Sequence, residues 1–306
     1  MRAAVIGAVG STAVLLDALR DAVGWEVPII VTLPTDQYHR HSDVVELAPY
    51  AKTLGARLYR TAKTNDPATL AAIEAARPDY LFVVGWSQLC SDAFLALRPG
   101  KVIGYHPSAL PRLRGRGVLG WTILLDERIT AGSLFWMAGG VDDGDLLAQK
   151  FFHLAGDTTV AELYDRHMEC LREMLAEVLP MLQIGTERRV KQDERFATWA
   201  TRRTPADGLI SWHRSARDID RLVRAAGRPY PGAFCYARGR KLVVSASRIE
   251  PDEKRYHAII GQIVERSDRG LCVQTADGML LLTDWEIEGG DAPPLHTVLR
   301  SDPGHD

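Results

Sequence analysis

The sequence predicts an α/β protein: a Rossmann-like, mainly parallel sheet with helices on both faces, followed by a small C-terminal, mainly-β domain of OB-like barrel type. Three observations carry this. Across residues 1–190, short apolar, β-rich runs alternate with segments whose apolar residues recur at helical spacing, the rhythm of βαβ units. Residues 191–208 turn polar and contain Arg202-Arg203-Thr204-Pro205, the composition of a linker. Residues 209–306 hold one helical pattern and then short strands punctuated by Gly and Asp turns.

Taken in order, Ala3–Ile6, Val27–Val31, Arg57–Tyr59, Tyr80–Val84 and Val102–Tyr105 read as buried strands. Ala13–Ala22, Asp43–Leu54 and Pro67–Ala75 read as the helices between them. Two further strands, Gly132–Met137 and Leu146–Phe152, precede a long amphipathic helix from Val160 to Leu182 that closes the first domain. Beyond the linker, Ala216–Ala226 is helical. Ala233–Ala237, Lys241–Ser247, Ile259–Glu265, Leu271–Thr275 and Met279–Thr283 are strands, and Ser301–Asp306 reads as a loose tail. Gly7-Ala-Val-Gly10-Ser11 joins the first strand to the first helix, where glycines let a backbone approach phosphate. Its spacing is not GxGxxG, and a tight turn needs glycine in any case, so a plain turn is the stronger reading.

Composition bounds the function. The chain has 306 residues, enough for two domains. Its 37 Lys and Arg nearly balance 39 Asp and Glu, which removes the usual electrostatic reason to expect nucleic acid as the main partner. Cys90, Cys170, Cys235 and Cys272 show no CxxC or metal-ligand spacing, so no metal is expected and a reducing, cytoplasmic setting fits. No run of about 18 apolar residues exists, which argues against a membrane span. The N-terminus reads as a first strand and not as a signal peptide.

Chemistry concentrates in Gly104-Tyr-His-Pro-Ser-Ala-Leu-Pro-Arg-Leu-Arg-Gly115 and Gly140-Val-Asp-Asp-Gly144. His106 ends a predicted parallel strand, where open α/β sheets place their ligands. A histidine and a carboxylate brought together in a cleft make a general base oriented by the acid. The loop between them carries Arg112, Arg114 and Arg116, a grip for an anionic substrate. Arg116 is the best placed, because Gly115 and Gly117 permit close approach on both sides. Each feature also has a plain reading: a satisfied strand-end histidine, a solvated basic turn, and an acidic turn at Asp142, Asp143 and Asp145. The acidic spacing lacks the alternating ligands and closing glutamate of a calcium loop.

The run His106-Pro-Ser-Ala-Leu-Pro-Arg-Leu-Arg-Gly115 resembles the signature of the folate-dependent formyltransferases, and Val141-Asp142-Asp143-Gly144 matches the turn that follows it in that family. The separation, 142 − 106 = 36, agrees with the family pattern. Arg202 to Trp212 and Arg228-Pro-Tyr-Pro-Gly-Ala-Phe234 resemble the linker and the start of the C-terminal domain in methionyl-tRNA formyltransferases and in UDP-4-amino-4-deoxy-L-arabinose formyltransferase.

The resemblance implies 10-formyltetrahydrofolate as formyl donor. It would be held by Gly85, Trp86, Gln88, Leu89 and Cys90 on one side and by Ala138, Gly139, Gly140 and Val141 on the other. It implies His106, Asp142 and Ser108 as catalytic residues, and Arg116, Arg114 and Tyr105 as contacts to the acceptor. One departure is plain: the family's asparagine, two residues before the histidine, is Gly104 here. Losing one such oxyanion donor costs roughly 3–4 kcal/mol. Gln88, Ser108 or a bound water is the expected replacement.

Charge and resemblance together narrow the acceptor: Arg114-Gly-Arg116 followed by Leu119-Gly-Trp121 resembles the corresponding run in the aminoarabinose enzyme. The loop Leu33-Pro-Thr-Asp-Gln-Tyr-His-Arg-His-Ser42 is short and has one arginine, and from Thr201 onward 16 Lys and Arg face 15 Asp and Glu. That is too little basic surface for tRNA. The leading expectation is an amine on a small metabolite, foremost a nucleotide-linked amino sugar, with Trp86 or Trp121 stacking on base or sugar. An amino-acid-derived amine of secondary metabolism, methionyl-tRNA, water (a 10-formyltetrahydrofolate hydrolase) and an inactive folate-binding protein stay open, as does a homodimer.

Overall fold

The computed structural model describes residues 1–40, 43–251 and 255–304. The last residues of the loop through Ser42 and of the tail through Asp306 therefore lie outside the described residues. The chain forms two compact units. One comprises Met1–Val118, Ile129–His153 and Tyr164–Thr201; the other comprises Leu119–Arg128, Leu154–Leu163 and Arg202 onward.

In chain order the first part contains strand β1 (Arg2–Ile6), helix α1 (Gly10–Asp21), β2 (Glu26–Thr32), α2 (Ala48–Leu54), β3 (Arg57–Arg60), α3 (Pro67–Ala75), β4 (Tyr80–Val83), the short α4 (Asp92–Leu95) and β5 (Val102–His106). Then follow β6 (Arg114–Gly115), α5 (Val118–Leu124), β7 (Ile129–Trp136), β8 (Leu146–His153), α6 (Val160–Ile184) and β9 (Trp199–Ala200). Seven strands form one sheet in the order β3-β2-β1-β4-β5-β7-β8. The first five run parallel, and β7 and β8 are antiparallel additions. The mainly parallel α/β architecture expected from the sequence is therefore the observed one.

Period-two alternation decides which side chain meets which layer. Ala3 and Val5 of β1, Tyr80 and Phe82 of β4 and Ile103 of β5 pack with Leu15 and Leu19 of α1 and Leu171, Leu175 and Val178 of α6. Ala4 and Ile6, Leu81 and Val83, and Val102 face the other way, onto Ala72 and Ile73 of α3 and Phe94 of α4. The order of chain travel reverses at β1 and β4, so the loops after them lie at the topological switch point.

The helix expected from Asp43 begins only at Ala48. Residues before it serve another partner: Val45 N–H donates to the Ala8 carbonyl (3.0 Å), and Val44 bridges Val9. Gly7 and Gly10 are needed for packing. A Cβ at Gly7 would stand 2.1 Å from the Val84 carbonyl oxygen, and one at Gly10 would stand 2.2 Å from the Tyr164 hydroxyl. The turn reading of Gly7–Ser11 thus suffices.

The second unit adds α7 (Ala216–Ala226), β10 (Ala233–Ala237), β11 (Arg240–Glu250), β12 (Ile263–Ser267), β13 (Gly270–Gln274) and β14 (Met279–Ile287). These strands form an antiparallel sheet ordered β10-β11-β14-β13-β12. Its open sides are covered by one later segment, in which Arg300 bridges Tyr236 and Val298 bridges Gln262. Ser215 caps α7 by accepting the Asp218 N–H, and the apolar stripe Ala216, Ile219, Val223 and Ala226 enters the core with Leu242, Val244 and Leu282. The strand expected from Ile259 starts at Ile263, because Gly261 takes a left-handed φ of +84°.

Candidate active site

β5 delivers His106 to the carboxyl end of the sheet, on the same face as Val102 and Gly104. The residue is buried, 5 % exposed. Its Nε2 lies 2.7 Å from the Leu113 carbonyl oxygen. A carbonyl can only accept, so the network assigns the proton to Nε2 and leaves Nδ1 as the nitrogen that exchanges one. Nδ1 sits 3.5 Å from Asp142 Oδ2, too far for a full hydrogen bond and close enough for charge to matter. Asp142 adopts a left-handed φ of +51°, and its Oδ2 accepts the Gly115 N–H at 2.9 Å. Two residues that the sequence separates widely are thus fixed against one ring.

Several expected site residues have other occupations. Ser108, expected at the reaction centre, is a loop tie: its buried hydroxyl donates to the Arg112 carbonyl (2.6 Å), while its own carbonyl accepts from Ser133 Oγ (2.7 Å). Tyr105 alternates to the opposite face of β5 from His106. Its hydroxyl bonds His167 Nδ1 (3.0 Å) and the His167 carbonyl (3.2 Å), and burial drives its pKa well above the usual tyrosine range. Partly buried, it packs against the core on that face. Arg114 is 2 % exposed, paired through both Nη atoms with Glu194 (2.7 and 2.9 Å) and also donating to Gln192. Four of its N–H groups are engaged, so it serves as an internal strut and not as a grip. Arg116 is exposed, with its backbone N–H bonded to the Ala200 carbonyl.

The two segments expected to hold a donor face each other. A Cβ at Gly139 would lie 3.7 Å from Asp92 Oδ1, so the Ala138–Asp143 turn passes close to the end of the Gly85–Ser91 loop. Ala138, Gly139, Gly140 and Val141 are exposed, and Leu89 is 72 % exposed. Apolar side chains left bare beside glycine-rich backbone suit a flat ring system gripped by main-chain groups. Cys90 supplies no thiolate, since burial pushes its pKa up to about 12.

The side chain of Gln88 is tied at both its oxygen and its nitrogen. Its Oε1 accepts from Thr64 N–H (3.0 Å) and Oγ1 (3.1 Å), and its Nε2 donates to the Ala62 carbonyl (2.9 Å). Trp86 Nε1 donates to the same Thr64 Oγ1 (2.5 Å), and Asn65 pins the C-terminal end of the loop, donating to the Leu89 carbonyl and accepting the Ser91 N–H (2.9 Å each). Sequence reasoning missed Thr64 and Asn65. Their signal, a Thr-Asn-Asp-Pro run after a strand, is indistinguishable from an ordinary turn.

These contacts bear on one expectation directly: the Ser108 hydroxyl gives its one proton to the Arg112 carbonyl and has none to spare for an oxyanion, whereas Gln88 Nε2 keeps a second N–H beside the one it gives to Ala62. At Gly104 a Cβ would meet the Phe135 ring at 2.8 Å and Met137 Cγ at 3.2 Å. An aromatic ring from the adjacent strand fills the place of a carboxamide. Among the described residues no group of three or more His, Cys, Asp or Glu is arranged to hold a metal, and no helix is long and apolar enough to cross a membrane.

Comparison with known proteins explains the arrangement. The formyl transferase family model matches residues 1–179, and the model of the formyl transferase C-terminal domain matches residues 202–303. Similar folds include HypX from Aquifex aeolicus in complex with tetrahydrofolic acid, at 18 % identity and TM-score 0.65, covering 93 % of this chain and 44 % of HypX. The chain thus spans less than half of that protein. An N-formyltransferase from Helicobacter canadensis in complex with folinic acid and dTDP-3-aminofucose matches over 92 % of this chain and 98 % of its own, at 15 % identity and TM-score 0.66. Phosphoribosylglycinamide formyltransferase from Bacillus halodurans covers 60 % of this chain and 97 % of its own, at 16 % identity and TM-score 0.53. With most of its length matched by those two models, the chain belongs to the formyl transferase family and is an enzyme of that class.

Proposed function

We propose that the enzyme moves a formyl group from 10-formyltetrahydrofolate to an amine of a small metabolite, with a nucleotide-linked amino sugar as the leading acceptor. The carrying observation is the His106–Asp142 pair at the carboxyl end of β5, beside two glycine-bearing segments that face one another. Structures similar in fold hold folates, and one also holds a dTDP-amino sugar.

The backbone of Gly85, Trp86, Gln88, Leu89 and Cys90 and the turn Ala138, Gly139, Gly140 and Val141 would hold the donor's ring, with Thr64 and Asn65 keeping the first loop in shape. When bound, the donor supplies an activated formyl carbon on a nitrogen leaving group. His106 Nδ1 takes the proton released as the amine nitrogen bonds to that carbon, and gives it to the departing nitrogen. Asp142 steadies the imidazolium while it lasts and keeps the ring aimed. Arg116, exposed after Gly115, is the cation expected to meet an anionic group of the acceptor.

The test is tetrahydrofolate release from 10-formyltetrahydrofolate, with and without a panel of nucleotide-linked amino sugars and amino acids. Amine-dependent release that disappears in His106→Ala supports the reading. Release independent of any amine points to a hydrolase. Donor binding without release from any acceptor points to a folate-binding protein.

A further inference from the structure

We propose that Gln192 is a positioning residue for the formyl transfer, acting by holding Asp142 against His106; this rests on the reading of the pair given above. By composition Gln192 opens a polar linker. In the structure it is 4 % exposed, and its carboxamide makes four hydrogen bonds. Nε2 donates to the Asp142 carbonyl (2.8 Å) and to the Gly144 carbonyl (2.7 Å). Oε1 accepts from Arg114 Nη2 (2.8 Å) and Nε (3.3 Å).

These bonds close a ring. Asp142 is held at its carbonyl by Gln192, and Gln192 is held by Arg114. The next residue, Gly115, donates its N–H back to Asp142 Oδ2 (2.9 Å). The ring therefore grips Asp142 at both its backbone and its carboxylate, and joins the turn it sits on to the loop that carries Leu113, whose carbonyl fixes the other side of His106. Asp142 has a left-handed φ of +51°, a conformation uncommon outside glycine that aspartate adopts more readily than most residues when local hydrogen bonds support it. Gln192 supplies two of the bonds that support it. A carboxamide is the group this role needs: two donors for two carbonyls and an acceptor for a guanidinium, with no charge to compete with Asp142.

Gln192→Glu tests this, since it keeps the length and the acceptor toward Arg114 but has no N–H for the carbonyls of Asp142 and Gly144. Gln192→Met, which removes both functions, is the second variant. Thermal unfolding first establishes that each is folded. Ring 15N chemical shifts of His106 are then compared with wild type and with Asp142→Asn, and kcat and KM for 10-formyltetrahydrofolate are measured for the single variants and for the double variant with Asp142→Asn. We expect Gln192→Glu to fold, to move the His106 resonances toward those of Asp142→Asn, and to lower kcat on the order of 100-fold with KM for the donor little changed. The double variant should be no slower than Asp142→Asn alone. Wild-type resonances and kcat in a folded Gln192→Glu, or losses in the double variant that simply multiply, overturn the proposal. If the wild-type enzyme formylates no amine, the functional reading fails, while the His106 resonances still decide the role of Gln192.

Discussion

The ring of Phe135 occupies the space in which a side chain on Gly104 would begin. The two residues pair directly across β5 and β7, and a Cβ on Gly104 would stand 2.8 Å from two ring carbons. The bare backbone at Gly104 and the placement of the Phe135 ring are therefore one feature of the site. Gly104→Asn alone should overpack the sheet, cost about 1–3 kcal/mol and yield no faster enzyme. Gly104→Asn combined with Phe135→Ala opens room for the carboxamide, and we expect kcat above that of the Phe135→Ala single variant. Urea unfolding and steady-state rates of the three variants check this; a stable, wild-type-like Gly104→Asn refutes it.

On the proposed reading, His106 moves the amine proton. His106→Ala should lower kcat by about 10²- to 10⁴-fold, the span of general acid–base contributions, with folding intact. Rate measurements beside a circular dichroism spectrum are sufficient.

Arg114 and Arg116 separate structure from recognition. Arg114→Met strands the buried Oε1 of Gln192, whereas Glu194, exposed on its far side, recovers water. The expected loss is about 1–3 kcal/mol of stability, with KM for the acceptor unchanged. Arg116→Ala should instead raise KM for the acceptor.

Thr64 supports the donor loop from outside it. Thr64→Val removes the acceptor for Trp86 and a donor to Gln88. A net hydrogen bond is worth about 1 kcal/mol, so KM for 10-formyltetrahydrofolate should rise several-fold while kcat holds. Donor titrations of the variant decide it.

His167 gives the fold a pH dependence. Burial, with a smaller contribution from His106, lowers its pKa to about 3 against an ordinary value of 6.5. In this window the unfolded chain binds the extra proton and the folded one does not. His167 therefore contributes its full stability above pH 6.5 and loses it as pH falls toward 3. Urea unfolding at several pH values should show that slope in the wild type and a shallower one in His167→Gln.

The sheet was legible because alternation along β1, β4 and β5 reports burial on each face, and the helical period of α6 reports its apolar stripe. His106 and Asp142 were legible because their loops bear a family pattern at a set spacing. Periodicity and spacing say nothing of a polar side chain's partner. Ser108, Tyr105, Gln88 and Arg114 all carry groups that suit catalysis or binding, and each bonds a residue that local sequence does not point to. Gln192 is the converse: a polar residue in a polar stretch gave no sign of burial, because what buries it is Arg114, 78 positions earlier. The helix expected from Asp43 failed for a related reason, since Val45 pairs with the Ala8 carbonyl.

The segment through Val298 and Arg300, which bridges Gln262 and Tyr236, bears on how the chain is made. During synthesis β10 and β12 emerge well before the residues that cover their sides. Until position 300 has cleared the ribosome, both strands present bare backbone to any other strand nearby. A pause in translation over the tens of codons that lead to position 300 would prolong that interval, and the nascent chain should then need a chaperone most.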